Sequence, residues 1–195
     1  MQLADAALQT LSELGYARTS LREIAQNSEF SHGVLHYYFT DKVELITYCV
    51  RRYKAVCVQR YDDVVASAAG APALAAEFAD AMVATLVADA LLHRLWYDLR
   101  SQSLFEASFR EDVASIDDSL QRMIDRIVTR YSELAGRPPL CAPPMAYAMF
   151  DGLFQQALLR HLAGEPGAAE QLRADVVAML DLVVAPVAGA MRAAG

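Results

Sequence analysis

His32 and His36 stand four residues apart, a spacing that puts two imidazoles on one face of a helix. A zinc-protease helix needs glutamate directly after the first histidine, and Gly33 occupies that place, so no metal is expected there. Asp117 and Asp118 are neighbouring carboxylates, but adjacent helix residues point about 100° apart, so they read as solvated charge. His93 precedes Trp96 by three residues and reads either as a polar contact for a small ligand or as a surface residue. His161, near a helix end, complements the helix dipole. The sequence holds no glycine-rich phosphate loop, nucleophile elbow or CxxC pair. The expectation is therefore no catalytic residue, no metal and no cofactor. What remains is a hydrogen-bonding surface made by His32, Gly33, Val34, His36, Tyr37 and Tyr38. Tyrosine and histidine bond phosphates and bases, and glycine lets a DNA backbone come close.

Such a surface needs a short helix to carry it. Ser20 and Glu23 form an S-x-x-E capping box, so a helix is expected from Leu21, with Leu21, Ile24 and Ala25 on its apolar face. Asn27-Ser28 breaks it, Phe30 anchors the turn, and Ser31 caps a second helix from His32 to about Phe39. Leu35 and Phe39 mark the core face of that helix, while Gly33 and Tyr37 point away and His36 and Tyr38 flank them. Two short helices joined this way make a helix-turn-helix, whose second helix lies in the major groove. Thr19 and Ser20 offer hydroxyls to a phosphate, although Ser20 serves equally as a plain cap. Asp41 caps a third helix beginning at Lys42, and a cation at that positive helix end makes sense beside a phosphate.

The ordered set G-Y-x-x-T-S, I-A, S-x-G-x-L, Y-Y-F and x-D-K-x-x-L, between Leu3 and Leu45, resembles the TetR (tetracycline-repressor-like) family. Beyond Leu45, size and helical layout alone match. The resemblance implies a one-component transcriptional regulator with an N-terminal DNA-binding domain and a C-terminal domain for ligand binding and dimerisation. Two departures stand out. The family usually has an aromatic where this chain has His36, and many members carry a basic arm before the first helix, whereas this sequence starts almost on that helix.

The chain has 195 residues, 55% of them hydrophobic and 21% charged, which describes a globular protein rather than a disordered one. No apolar run approaches the ~18–20 residues of a membrane span, and Gln, Leu, Ala and Asp after Met1 do not open a signal peptide. Three cysteines are an odd number, and Cys49 and Cys57, eight apart on one helix, are about 12 Å apart along its axis. Cys141 sits in a proline-rich loop, so a reduced, cytoplasmic protein is expected. The net charge of −7 sits poorly with DNA, but its distribution matters more. Residues 1–47 carry three cations and six acids; Arg51, Arg52, Lys54 and Arg60 then bring residues 1–60 to +1. Weak non-specific affinity and a modest salt dependence follow.

Along the chain the pattern is helical throughout, about nine helices in an all-α fold: a helix-turn-helix domain over 1–47 and an effector-binding, dimerising bundle over 48–195. The first helix is expected over about Gln2–Leu14, with Leu3, Ala7, Leu11 and Leu14 on one face and Tyr16 packed beneath the motif. The long helix from Asp41 reaches about Ala66 and carries a stripe of Tyr53, Cys57 and Tyr61, read as core or as a pocket wall. Helices are then expected over Ala73–Asp89, onward to about Ser103, and to Ala135 from a capping box of Ser108 and Glu111. Aromatic and sulfur-bearing residues exceed what small helices need: with that stripe, Phe78, Met82, Trp96, Phe105, Met123 and Tyr147 are expected to line a largely apolar effector pocket, with His93 and Arg100 orienting the ligand. The last two helices, from about Met145 to Ala163 and from Ala168 to a stop at Pro186, are apolar on more than one side. Met149, Phe154, Leu158, Leu162, Val176, Leu180 and Val183 are expected to form a homodimer interface. The expected partners are thus double-stranded DNA, a small-molecule effector and a second copy, with no membrane. The competing reading is an all-α small-molecule-binding protein or enzyme whose first helices only pack; it needs a convergent polar site, and His93, Arg94, Asp98 and Arg100 are sequential instead. A further reading keeps the motif but uses it to grip protein.

Overall fold

Helix starts in this chain are set by side chains that satisfy the orphan N–H groups of the first turn. In the computed structural model, which describes residues 7–10, 20–27, 29 and 31–186, the first helical segment, α1, covers 7–10, with Ala7, Leu8 and Thr10 buried. Leu3, Leu11, Leu14, Tyr16, Thr19, Ser28, Phe30 and the side chain of His32 lie outside the described residues. The helices that follow are α2 (Leu21–Gln26), α3 (His32–Tyr38), α4 (Lys42–Ser67), α5 (Ala71–Gln102), α6 (Arg110–Ala135), α7 (Pro143–Leu162) and α8 (Ala168–Leu182). No strand occurs among the described residues; a lone antiparallel bridge joins Pro139 and Val184.

The Ser20–Glu23 box is formed in both directions: Ser20 N–H donates to Glu23 Oε2 at 2.7 Å and Glu23 N–H to Ser20 Oγ at 3.2 Å. At the head of α3, Val34 N–H donates to Ser31 Oγ at 3.3 Å. Asp41 caps α4 by accepting from Glu44 N–H at 2.9 Å, and Glu44 reaches back to the Thr40 N–H at 2.8 Å and to the Thr40 hydroxyl. Those Thr40 bonds, the hydroxyl first and the amide second, hold the Glu44 carboxyl below the usual carboxylate range.

α5 is two rods rather than one. Asp89, at φ −120° and ψ 20°, breaks the helical geometry at the residue where the sequence pattern ends one helix and begins the next, so among the described residues eight helices make nine straight pieces. Before α6 the expected Ser108–Glu111 box does not form. A 3-10 turn over Ala107–Phe109 leads into Arg110, and Phe109, fully buried, fixes the entry instead of a hydroxyl. Two helices end on left-handed glycines. Gly136 (φ 64°) follows α6, with Gly136 N–H donating to Glu133 and Arg137 N–H to Ser132; Gly164 (φ 73°) ends α7 through His161 and Arg160 in the same way.

The chain divides into two compact units: Met1–Val56 with Asp89–Asp118, and Cys57–Ala88 with Ser119–Gly195. α4, α5 and α6 each contribute a segment to both. In the first unit Ile24, Leu35, Leu45, Ile46 and Phe109 form a fully buried set. In the second, Tyr61, Phe78 and Phe150 stack edge to face at 5.6 Å between successive rings, and α7 packs on α8. Asp181 near the end of α8 pairs with Arg137 and accepts from Tyr131 O–H at 3.3 Å, and the guanidinium holds its carboxyl low.

The Glu44 cap has a pH signature. A carboxyl depressed in the folded chain stabilises it above the ordinary value of 4.5 and ceases to as pH falls through the lower folded value. Glu44→Gln is expected to melt below the parent at neutral pH, with the gap closing in acid. A gap that stays constant across the acid range, measured by circular dichroism, counts against the charge as its source.

Candidate nucleic-acid interface and ligand cluster

Burial sorts the residues of α3. Leu35 is fully buried and Phe39 is half-buried with its ring 5.7 Å from Tyr48, so this side holds the helix to its unit. The opposite side carries Gly33, His36, Tyr37 and Tyr38 in solvent; Tyr37 is 81% and Tyr38 62% exposed, their rings edge to face at 5.0 Å. Val34 sits at its margin, and Ser20, Ser31 and Lys42 stand at the three helix starts around it. A Cβ on Gly33 would touch only Ser31 Oγ, at 3.8 Å, so nothing within the chain demands glycine there. The cationic stretch after Tyr48 offers DNA less than its composition suggests. Lys54 is buried, and Arg51 is paired with Asp112.

The residues expected to line a pocket fall in both units. In the first, Lys54 Nζ of α4 lies 3.1 Å from His93 Nδ1 of α5, 5.3 Å from the Trp96 ring centre and 5.7 Å from that of Tyr53. Tyr53 and His93 meet edge to face at 5.5 Å, and Arg100 pairs with Asp117 at 3.3 Å. Trp96 is 1% exposed, and its Nε1–H has no acceptor among the described residues. Lys54 is the member that sequence reasoning missed. Its signal was a charge inside the apolar stripe of Val50, Cys57 and Tyr61, where a solvated lysine has no place.

In the second unit Cys57, Tyr61, Phe78, Met82, Met123 and Tyr147 are all buried. Tyr61 O–H donates to Thr85 Oγ1 at 3.1 Å, and Arg60 Nη1 donates to the same oxygen at 2.7 Å. Phe105 does not belong with either set. It is 83% exposed, because α5 ends at Gln102 and turns out into solvent before the 3-10 turn.

Most of the residues expected at a dimer interface are already buried in the single chain. Phe154, Leu158, Val176, Leu180 and Val183 are buried within one chain, where α7 and α8 face each other, and Met149 is half-buried; Leu162, 40% exposed, remains outside. Period alone could not say which of two apolar sides faces inward. The outward side of α7 carries Met145, Ala148, Gly152, Leu159 and Leu162, and that of α8 carries Ala174, Ala178 and Leu182. A Cβ on Gly152 would meet nothing within 4 Å.

A capped helix-turn-helix with two exposed tyrosines on its second helix is the arrangement by which such motifs set a helix in the major groove of DNA. Residues 3–49 match the family model described as "Bacterial regulatory proteins, tetR family". The chain is 28% identical over 204 residues to the HTH-type transcriptional regulator BetI of Burkholderia thailandensis, a match covering 95% of this chain and 93% of the relative. Its fold is shared by FadR of Bacillus subtilis in complex with stearoyl-CoA (TM-score 0.77, 19% identity, 92% of this chain and 96% of that one). A protein of Saccharomonospora viridis described as a transcriptional regulator, in complex with choline, is similar too (TM-score 0.76, 15% identity, 94% and 95% covered). These relatives are described as transcriptional regulators rather than enzymes. No helix among the described residues is long and apolar enough to cross a membrane.

Tyr37→Ala and His36→Ala are each expected to lose specific DNA affinity by about 1–3 kcal/mol. Lys42→Ala is expected instead to weaken all sequences alike and flatten the salt slope by about one unit. Parent-like operator binding by both α3 variants in a titration would remove α3 from the groove.

Proposed function

We propose that this chain is a cytoplasmic repressor that binds a near-palindromic operator as a homodimer and is released by a small, largely apolar effector. Residues 1–47 read the DNA and 48–195 hold the effector and the partner. The observation that carries this reading is the outward face of α3, where two tyrosines and a histidine surround a glycine that no internal packing requires. Ser31, Gly33, Val34, His36, Tyr37 and Tyr38, with His32, contact the groove; Thr19, Ser20 and Lys42 hold phosphates.

The outward sides of α7 and α8 support the dimer. Small residues there (Ala148, Gly152, Ala174 and Ala178) allow two helix pairs to approach closely, and Leu159, Leu162 and Leu182 supply apolar area. A two-fold axis through such a bundle matches a palindromic site. Effector release follows from spacing. Two recognition helices meet successive major grooves only when about 34–36 Å apart, so a small shift of α4 disengages one of them. By linkage, an effector that weakens DNA binding itself binds the DNA complex less tightly, by about 1–3 kcal/mol.

A mobility shift with the DNA upstream of the chain's own gene, at low and moderate salt, tests the central claim. A retarded band that resists unrelated competitor DNA is expected; binding equal to competitor at both salts removes the operator. Leu159→Glu with Leu182→Glu is expected to give folded monomers in sedimentation. A double variant that still sediments as a dimer places the interface elsewhere.

A further inference from the structure

The ionic side chains near the middle of α5 are engaged within the first unit. Lys54 Nζ lies 3.1 Å from His93 Nδ1, both residues make further contacts, and Arg100 pairs with Asp117. Trp96 differs. Its indole is buried with Leu95 and Leu99 of the same helix, and its Nε1–H has no acceptor among the described residues. A buried donor without an acceptor is costly, so tryptophan sits in cores where its N–H reaches a partner. Phenylalanine would fill apolar ground there without that cost. The ring is also held in place, because Lys54 Nζ of α4 lies over it, 5.3 Å from its centre, inside one compact unit. A fixed indole in apolar surroundings, its donor open, is suited to orienting a ligand through one acceptor atom.

We propose that Trp96 Nε1 anchors the effector and that the effector is an uncharged apolar molecule bearing a carbonyl oxygen. The proposal rests on the reading of the chain as an effector-controlled regulator and gives that effector its chemistry. A carbonyl oxygen only accepts, so it completes the indole N–H and brings no donor that needs an acceptor in turn. A hydroxyl brings such a donor, and a hydrocarbon leaves the N–H as it is. A carboxylate offers acceptors but gives up the hydration of a full charge to reach a lysine that is already engaged. A quaternary ammonium meets a ring that already carries a cation, Lys54. The anchor also lies where it can act on DNA binding. Lys54, which covers the indole, is twelve residues beyond Lys42 on the same helix, about 18 Å along α4, in the same compact unit as α2 and α3.

Trp96 is the single tryptophan of the chain, so a nitrogen-15-labelled sample gives one indole N–H signal. Acetophenone, benzylacetone and cyclohexyl methyl ketone are titrated into the full-length protein without DNA, each beside its hydrocarbon, carboxylate and trimethylammonium analogues. At least one ketone is expected to move that signal downfield at saturation, the direction of a newly formed hydrogen bond, while its hydrocarbon does not. Calorimetric affinities give a second readout. Trp96→Phe is expected to weaken that ketone relative to its hydrocarbon by about tenfold, with the hydrocarbon itself within about threefold of the parent. An indole signal that no ketone moves, the result expected of an N–H already served by an internal water, overturns the proposal. So does a charged analogue that binds as tightly as its ketone, or a folded Trp96→Phe that keeps the parent's ketone preference. Should Trp96→Phe fail to fold, the indole signal of the parent decides alone. The operator shift assay separates the two readings. A chain that shifts its operator while its indole answers no ketone keeps its regulatory role and loses this effector class. A chain whose indole answers a ketone but that shifts no DNA keeps the ligand and loses the regulator.

Discussion

A helix of six or seven residues does not hold itself in water, because nucleation costs more than so few hydrogen bonds return. α2 and α3 are of that length, so their existence depends on what is attached to their ends and inner faces. The Ser20–Glu23 box and the Ser31 hydroxyl satisfy first-turn amides, and Ile24 and Leu35 are fully buried beneath them. Asp41, Glu44 and Thr40 then tie the exit of α3 to the start of α4, which is 26 residues long. Everything that α3 shows to solvent is displayed on a frame held by these few carboxylate and hydroxyl contacts. Because they are directional, they set the angle of the helix as well as its stability.

Those contacts are also why the helix-turn-helix was so legible in the sequence. Caps are local: Ser, Asp and Glu at fixed offsets state a helix start whatever the tertiary fold does. The break at Asp89 was readable for a similar reason, since the apolar period restarts there. Where the sequence misled, the deciding contact was distant. Ser108 and Glu111 have the spacing of a cap, but burial of Phe109 outranks it. On α7 and α8 two apolar sides compete, and only the packing of one helix on the other reveals that Phe154 and Leu158 face inward while Leu159 faces out. Phe105 looked like a pocket residue by type alone, and type carries no direction.

Lys54 is the converse case, a residue whose type argued for the surface and whose place is interior. Its place in the apolar period of α4 points inward, whereas its charge taken alone places it in a basic stretch with Arg51 and Arg52. A polar residue in a core stripe costs stability unless it is used, and here it meets an imidazole and two aromatic rings. The same burial changes the view of the DNA end. With Lys54 inside and Arg51 held by Asp112, this stretch of α4 shows solvent less free charge than its composition suggests.

The path of the chain through its two units bears on modularity. The unit that contains the helix-turn-helix is discontinuous, made of Met1–Val56 and Asp89–Asp118, and Arg51 with Asp112 and Lys54 with His93 join its two stretches. A chimera that transplants only the first 47 residues onto a relative's body keeps the host's partners for those side chains. The helix-turn-helix then inherits a foreign foundation. An exchange that keeps its native partners must move the two stretches together.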